Sequence, residues 1–262
     1  MRCWIGGVGV LGPGLPGWAD SEAVLAGKRA WDRQEAVAPA PAILPSTERR
    51  RTGAAVRFAL AAATEATAEE PDRAALETVF ASGNGDGATV AAILDAMHED
   101  EGVISPTQFH NSVHNAAAGY WHIAVGSTAP SVSLGGHDGA FVAGLLSAVT
   151  GVAARGKAVL LCAYDTPLPP PLAAVRPVDF AFAAAMVLRP APGPGTRAAL
   201  DIRYVAERLD EGPRGEGLDA LAFGNPAARS LPLLRALAAK AEALVRLALT
   251  PDSHLELRVS PC

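Results

Sequence analysis

The residues able to do chemistry fall in a few short stretches. Gly135-Gly136-His137-Asp138-Gly139 sets an imidazole beside a carboxylate in a glycine-rich turn, a pairing that could act as a general base. Adjacent side chains rarely face each other, and Asp138 is well placed to cap the helix that follows. No G-x-S-x-G elbow supplies a serine. His110 and His114 stand four apart, so a helix beginning that early would put two imidazoles on one face; His122 follows eight beyond His114. H-x-x-x-H is a zinc pattern, but a site needs further ligands and H-E-x-x-H is absent. The expectation is therefore no metal, with His110, Asn111, His114 and Asn115 forming a polar interface.

Cys3, Cys162 and Cys262 are widely spaced and form neither a disulfide framework nor a C-x-x-C pair. Cys162 sits inside the apolar run AVLLCAY, where a thiol is a small buried hydrophobe with a raised pKa. Gly83-Asn84-Gly85-Asp86-Gly87 follows a strand and could cradle phosphate. It matches neither G-x-G-x-x-G nor the P-loop, so it reads as a structural turn. Arg49-Arg50-Arg51 falls in the first turn of an expected helix, where positive charge opposes the dipole. The triplet either meets an acidic partner or ends in water.

These groups need elements to hold them. Cys3–Leu11 reads as a strand ended by Gly12-Pro13-Gly14, and Ala19–Ala26 as a short helix capped by Asp20 or Ser21 and stopped by Gly27. Residues 37–45 are rich in alanine and proline and read as an extended surface loop. Thr47 opens a helix through residue 70, with Val56, Leu60 and Ala63 at helical spacing. Strands follow at Glu77–Ser82, Val132–Leu134, Lys157–Ala163, Phe180–Leu188, Ala199–Val205 and Leu255–Val259. Helices fall at Ala88–Met97, over Val113–Val125, after Asp138 with Phe141, Val142, Leu145, Leu146, Val149 and Val152 on its apolar face, and from Ser230 to about Leu249. Prolines at 167 and 169–171 break regular structure, and 211–217 is another loop.

Half the residues are apolar, so 262 residues can bury a substantial core, most simply as one domain over 1–262. The formal charge of −5 is scattered in sign, and no basic stripe points to nucleic acid. The opening MRCWIGGVGVLG is too short to span a membrane and lacks a small-residue cleavage site, which suits a cytoplasmic protein.

From Ile104 to Asp165 the order of elements resembles the nucleophile region of the β-ketoacyl synthases of the thiolase superfamily. In those enzymes I-S-P leads, at fixed spacing, to N-x-x-A-G in a helix, and G-P-S-x-S-x leads a strand into an elbow carrying a cysteine. Ile104-Ser105-Pro106, Asn115, Ala118-Gly119 and Pro130-Ser131-Val132-Ser133-Leu134 keep that frame. Counted without gaps from Pro130, the cysteine slot falls on Asp138; one residue of slip puts it on His137 or Gly139. None of these can form a thioester. Beyond Asp165 the one histidine is His254, in neither of the family's histidine motifs.

The resemblance implies an α/β, incomplete thiolase-like (ketosynthase) fold, a mixed β-sheet covered by helices on both faces. Residues 1–165 resemble the N-terminal half of a ketosynthase and 166–262 form a divergent C-terminal part. Small size, the phrase Phe109–Asn115 and the run Gly224–Leu234 look like the shortened chain-length factors associated with aryl-polyene biosynthesis. Such a protein uses no cofactor and forms a heterodimer with a catalytic ketosynthase. It meets acyl carrier protein through that complex, and alone it self-associates through an apolar face over Val113–Trp121. In ketosynthase dimers the loop after I-S-P crosses the interface and lines the neighbour's acyl pocket; here it holds Thr107, Gln108, Phe109 and His110. Gln108 and Phe109 are the expected ruler, because a chain one methylene too long meets an overpacking cost of about 1–3 kcal/mol. Phe109 could equally be core. The alternative function is a stand-alone acyl hydrolase or thioesterase using His137-Asp138.

Overall fold

Apolar residues two apart along the strands assign each side chain to one of two cores. In β4 (Val159–Asp165), Val159, Leu161 and Ala163 enter one core, while Leu160, Cys162 and Tyr164 enter the other. A computed structural model describes residues 1–99, 102–212 and 215–262, and the loop expected over 211–217 lies partly outside them. In chain order the first elements are β1 (Arg2–Leu11), α1 (Trp18–Leu25), α2 (Ser46–Arg49), α3 (Ala54–Ala66) and β2 (Glu77–Ala81). Next come α4 (Gly87–Met97), α5 (Pro106–Asn111), α6 (Ala116–Val125), β3 (Ser131–Leu134), α7 (Ala140–Arg155) and β4. The chain continues through α8 (Leu172–Val175), β5 (Phe182–Arg189), β6 (Ala198–Val205), α9 (Leu221–Gly224), α10 (Leu231–Ala239), β7 (Ala243–Thr250) and β8 (Ser253–Pro261).

All eight strands join one mixed sheet in the order β3-β2-β4-β5-β1-β6-β8-β7. β2 runs parallel to β3 and β4, and the remaining pairs are antiparallel. Helices α3 and α6 cover one face; α1, α7 and α10 cover the other. β4 is buried along its whole length, as a central strand must be. β6, β7 and β8 bury one face through Leu200, Ile202, Val245, Leu247, Leu255 and Leu257. Their other face is charged: Arg203 and Arg246 both bind Glu256.

The structure departs from expectation in local ways. The helix expected from Thr47 through residue 70 breaks into α2 and α3. The Thr52 hydroxyl donates to the Arg49 carbonyl at 2.8 Å, competing with the helix ladder, and extended Gly53 restarts it. The arginine triplet thus straddles the C-terminal end of α2 rather than opposing a dipole at an N-terminus. Gly17, not Asp20 or Ser21, is the N-cap of α1. The helix expected to reach Leu249 ends at Ala239, with Lys240 left-handed at φ 52°; Val245 and Leu247 then alternate as strand β7.

The sheet's far end curls back so that β7 packs on the N-terminal end of α7. A Cβ at Gly139 would lie 2.6 Å from the Leu249 carbonyl oxygen, closer than any real contact. His137–Arg155 is long and apolar enough to cross a membrane, yet α7 is enclosed between β2, β4 and this returning edge, as a core helix is. Gly139→Ala must therefore push β7 outward, at a cost of about 1–3 kcal/mol. Thermal unfolding should show a lower Tm for this variant and an unchanged one for Gly193→Ala, which points into open space.

Candidate functional site

The three parallel strands end together, and their ends carry the polar groups that the sequence scatters. Ser82 follows β2, Gly135 follows β3, and Asp165 closes β4. The Asp165 side chain is fully buried. Its carboxylate accepts from the Ser82 hydroxyl at 2.9 Å and from the amides of Gly83 and Asn84 at 3.0 Å each. The glycine-rich turn does bind an anion, but the anion is the chain's own. Burial pushes Asp165 up to about 6, and the amide and hydroxyl donors only partly offset that. Asn225 fastens the far side: its Nδ2 donates to the Asp165 and Phe180 carbonyls at 3.1 and 2.7 Å.

Arg176, from the loop after α8, spans from this cradle to the elbow. Its Nε donates to Asn84 Oδ1 at 3.2 Å and its Nη1 to Asp138 Oδ1 at 2.6 Å. Asp138 makes no N-cap bond; it lies in the 3-10 turn His137–Gly139. The expected cap fails because the carboxylate turns to the guanidinium. Burial works against ionised Asp138, but Arg176 more than compensates and holds the carboxyl below its usual range. His137 Nδ1 lies 3.6 Å from the other carboxylate oxygen, on a side chain 74% exposed. His137 also takes the left-handed turn of the elbow, at φ 51°. Gly139 is fixed by the close pass of β7.

So the elbow gathers His137 and Asp138 but gives them no catalytic arrangement. A general base needs its carboxylate to orient the imidazole; here Arg176 holds that carboxylate and His137 projects into solvent. The hydrolase reading finds no support. His254 lies on β8 opposite Ala248 of β7 and is buried, with its Nδ1 2.8 Å from the Glu207 carbonyl on the β6 side of the sheet. Cys162 is fully buried and donates to the Ala59 carbonyl, and burial pushes its thiol up; burial also pushes Cys3 up to about 12.

The second group of expected residues lies on α5 and the turn after it. Thr107, Phe109, His110 and Asn115 are exposed, and Gln108 and His114 are half-buried. Phe109 is 66% exposed, which removes the core reading. Asn111 is the exception: it is buried and bonds within the chain, so it is no contact surface. His110 belongs to α5 and His114 to the turn before α6, so one helical face does not carry both. Among the described residues no three His, Cys, Asp or Glu side chains gather as metal ligands. Tyr120 and Trp121 are buried, which corrects the apolar face expected over Val113–Trp121. Exposed large apolar residues between α4 and β3 are Leu94, Met97, Val103, Phe109, Val113, Ile123 and Val132.

Asp165, Asn84 and Arg176 carry no catalytic motif. The one available signal was a charge closing the apolar run of β4; Arg176 lay unmarked in a proline-rich loop.

Residues 22–245 match the family of beta-ketoacyl synthase N-terminal domains. The chain belongs to that family. The match runs well past Asp165, to residue 245. A search of curated proteins found no match. Among solved structures, the chain is similar to one in a ketosynthase complex with its chain length factor from Xenorhabdus doucetiae. The TM-score is 0.72 at 19% identity, over 99% of both chains. The ishigamide ketosynthase/chain length factor matches with a TM-score of 0.73 at 13% identity, over 100% of this chain and 99% of that one. A type II polyketide synthase acyl-carrier protein complex with its ketosynthase bound to the hexaketide matches at 0.77 and 12%, with the same coverage. These likenesses establish the ketosynthase, thiolase-like fold, which this short chain shares almost end to end with its neighbours.

Asp165 has a pH signature of definite sign. Between its ordinary value of 3.8 and about 6, the folded chain holds a proton that the unfolded chain has released. Its contribution to stability is therefore full below 3.8 and lost as pH rises through about 6. Urea unfolding of wild type and Asp165→Asn from pH 4 to 7 should show wild type losing roughly 2 kcal/mol relative to the variant as pH rises. A pH-independent difference would mean that the carboxyl is not perturbed.

Proposed function

We propose that the chain is a non-catalytic, chain-length-determining subunit that pairs with a catalytic β-ketoacyl synthase in polyketide, aryl-polyene or fatty-acid-type biosynthesis. The observation that carries this reading is the elbow. A synthase needs a cysteine thiolate there, its pKa lowered at a helix N-terminus, to take the acyl chain. His137, Asp138 and Gly139 occupy the position instead, Arg176 binds Asp138, and the Leu249 carbonyl closes over Gly139. By the count from Pro130, no attacking sulfur stands there.

The surface around the ruler supports the pairing. β3 is an edge strand, open on its outer side and only partly buried. An open edge offers unpaired backbone groups to another chain. Val132 of β3 is itself exposed, as are the apolar side chains of Phe109, Val113 and Ile123 in the segment before it, and exposed apolar groups of this kind favour cover by another chain. Two of the similar structures named above hold a ketosynthase with a chain length factor, and the third an acyl carrier protein with its ketosynthase. By analogy this chain meets acyl carrier protein through its partner, in the cytoplasm, and self-associates when alone. Residues 1–165 carry the ketosynthase-like half and 166–262 the divergent part.

In that pairing Gln108 and Phe109 act as the stop at the end of the partner's acyl tunnel, with Thr107 and His110 beside them. Co-expression with its catalytic ketosynthase partner should yield a stable one-to-one complex. Val132→Lys should weaken it at least about tenfold, or 1.4 kcal/mol. Phe109→Ala and Gln108→Ala should lengthen the products that the complex releases. The purified chain alone should neither condense malonyl thioesters nor carry an acyl adduct. Either activity, or products of unchanged length, would overturn the corresponding part of the reading.

A further inference from the structure

α5, the helix that presents Gln108 and Phe109, buries none of its apolar side chains. Asn111 is its one buried residue, at 4% exposure. A six-residue helix is far too short to hold itself by backbone bonds alone. Its placement therefore depends on what Asn111 touches. The Asn111 Nδ2 donates to the Arg51 carbonyl at 2.7 Å, across the gap to the segment between α2 and α3. That carbonyl is itself steadied, because the Arg51 amide donates to the Glu48 carbonyl at 2.9 Å. The Asn111 Oδ1 accepts from the Tyr120 hydroxyl at 2.9 Å, on buried α6. Burial and the nearby Glu48 carboxylate push the Tyr120 phenol up, which keeps it a donor. The His110 ring meets the same tyrosine edge-on, 6.2 Å between centroids.

One amide thus ties α5 to two separate parts of the molecule. Its neighbour on α5, helix α4, offers little rigidity, since α4 is buried only at Gly87 and Ala91. A stop that discriminates by one methylene must be held within about 0.5 Å. We propose, resting on the chain-length reading above, that Asn111 is the positioning residue of the ruler, with Tyr120 as its anchor. Asn111 fixes the reach of Phe109 and so sets product length without touching the acyl chain.

The test uses the complex with its catalytic partner and reads the distribution of product lengths. Asn111→Ala and Tyr120→Phe should each raise the ratio of over-long to native-length product about threefold to tenfold, the scale of one lost hydrogen bond. Phe109→Ala should raise it further. The double variant Asn111→Ala/Phe109→Ala should match Phe109→Ala alone, since a positioning residue has nothing left to position. Additive shifts, or a shift with Phe109→Ala only, would overturn the role of Asn111 while leaving the ruler intact. No shift with any variant would remove the ruler itself, and Asn111's role with it. Should Asn111→Ala fail to fold, Tyr120→Phe decides the matter, because it keeps the bond to Arg51.

Discussion

A buried carboxylate governs how the ends of the sheet meet. Asp165 closes β4 where three parallel strands finish, and among the described residues it is held by hydroxyl and amide donors rather than by a cation in contact. Ionised groups inside a protein are costly unless their lone pairs are satisfied. Satisfying Asp165 draws the turn after β2 into a cradle, and the same turn then presents Asn84 to Arg176. Arg176 in turn reaches Asp138 at the start of the elbow. One anion so determines the path of three loops. Open α/β sheets bind their ligands beyond the carboxyl ends of parallel strands; here that crevice is filled from within.

The second constraint is the enclosure of α7. A helix apolar over so broad a face needs cover on more than one side. Here β6, β8 and β7 extend the one sheet and curl until β7 reaches the helix, while α1 and α10 complete the layer. The last hundred residues are thus tied to the first by strand pairing, β6 to β1, and by a common core from Cys3 to Val259. Gly139 records the closeness of that return: the sequence places glycine where the returning backbone leaves no space for a methyl group.

Elements with strong periodicity were legible in advance. β1, β2, β4, β5 and α7 follow from alternating or helical runs of apolar residues, because packing on both faces leaves no other use for them. β7 was not legible, since Ala, Leu and Arg suit a helix as well as a strand, and only the neighbouring β8 decides between them. The elbow could be located from Pro130–Leu134, but its chemistry could not. Asp138 looks like a helix cap until Arg176 arrives from a proline-rich loop 38 residues on. Asn111 looked like surface among His110, His114 and Asn115 because a polar residue in a polar run carries no mark of burial. Its partners, Arg51 and Tyr120, lie 60 and 9 residues away along the chain.

The two regions differ in how they are held, and the difference bears on which of them can change. The elbow is tied by a buried anion, a half-buried guanidinium and a glycine under a strand, so most substitutions there disturb the fold as well as the site. α5 has one buried anchor, the Asn111 amide, with its remaining side chains in solvent or only partly covered. Substitutions at Gln108 or Phe109 therefore alter what the helix presents without disturbing what holds it. On the proposed reading, a presented surface free to vary on a fixed frame suits the setting of a length rather than the making of a bond. The rigid end supplies a fixed frame, and the lightly anchored end presents a variable surface on that frame.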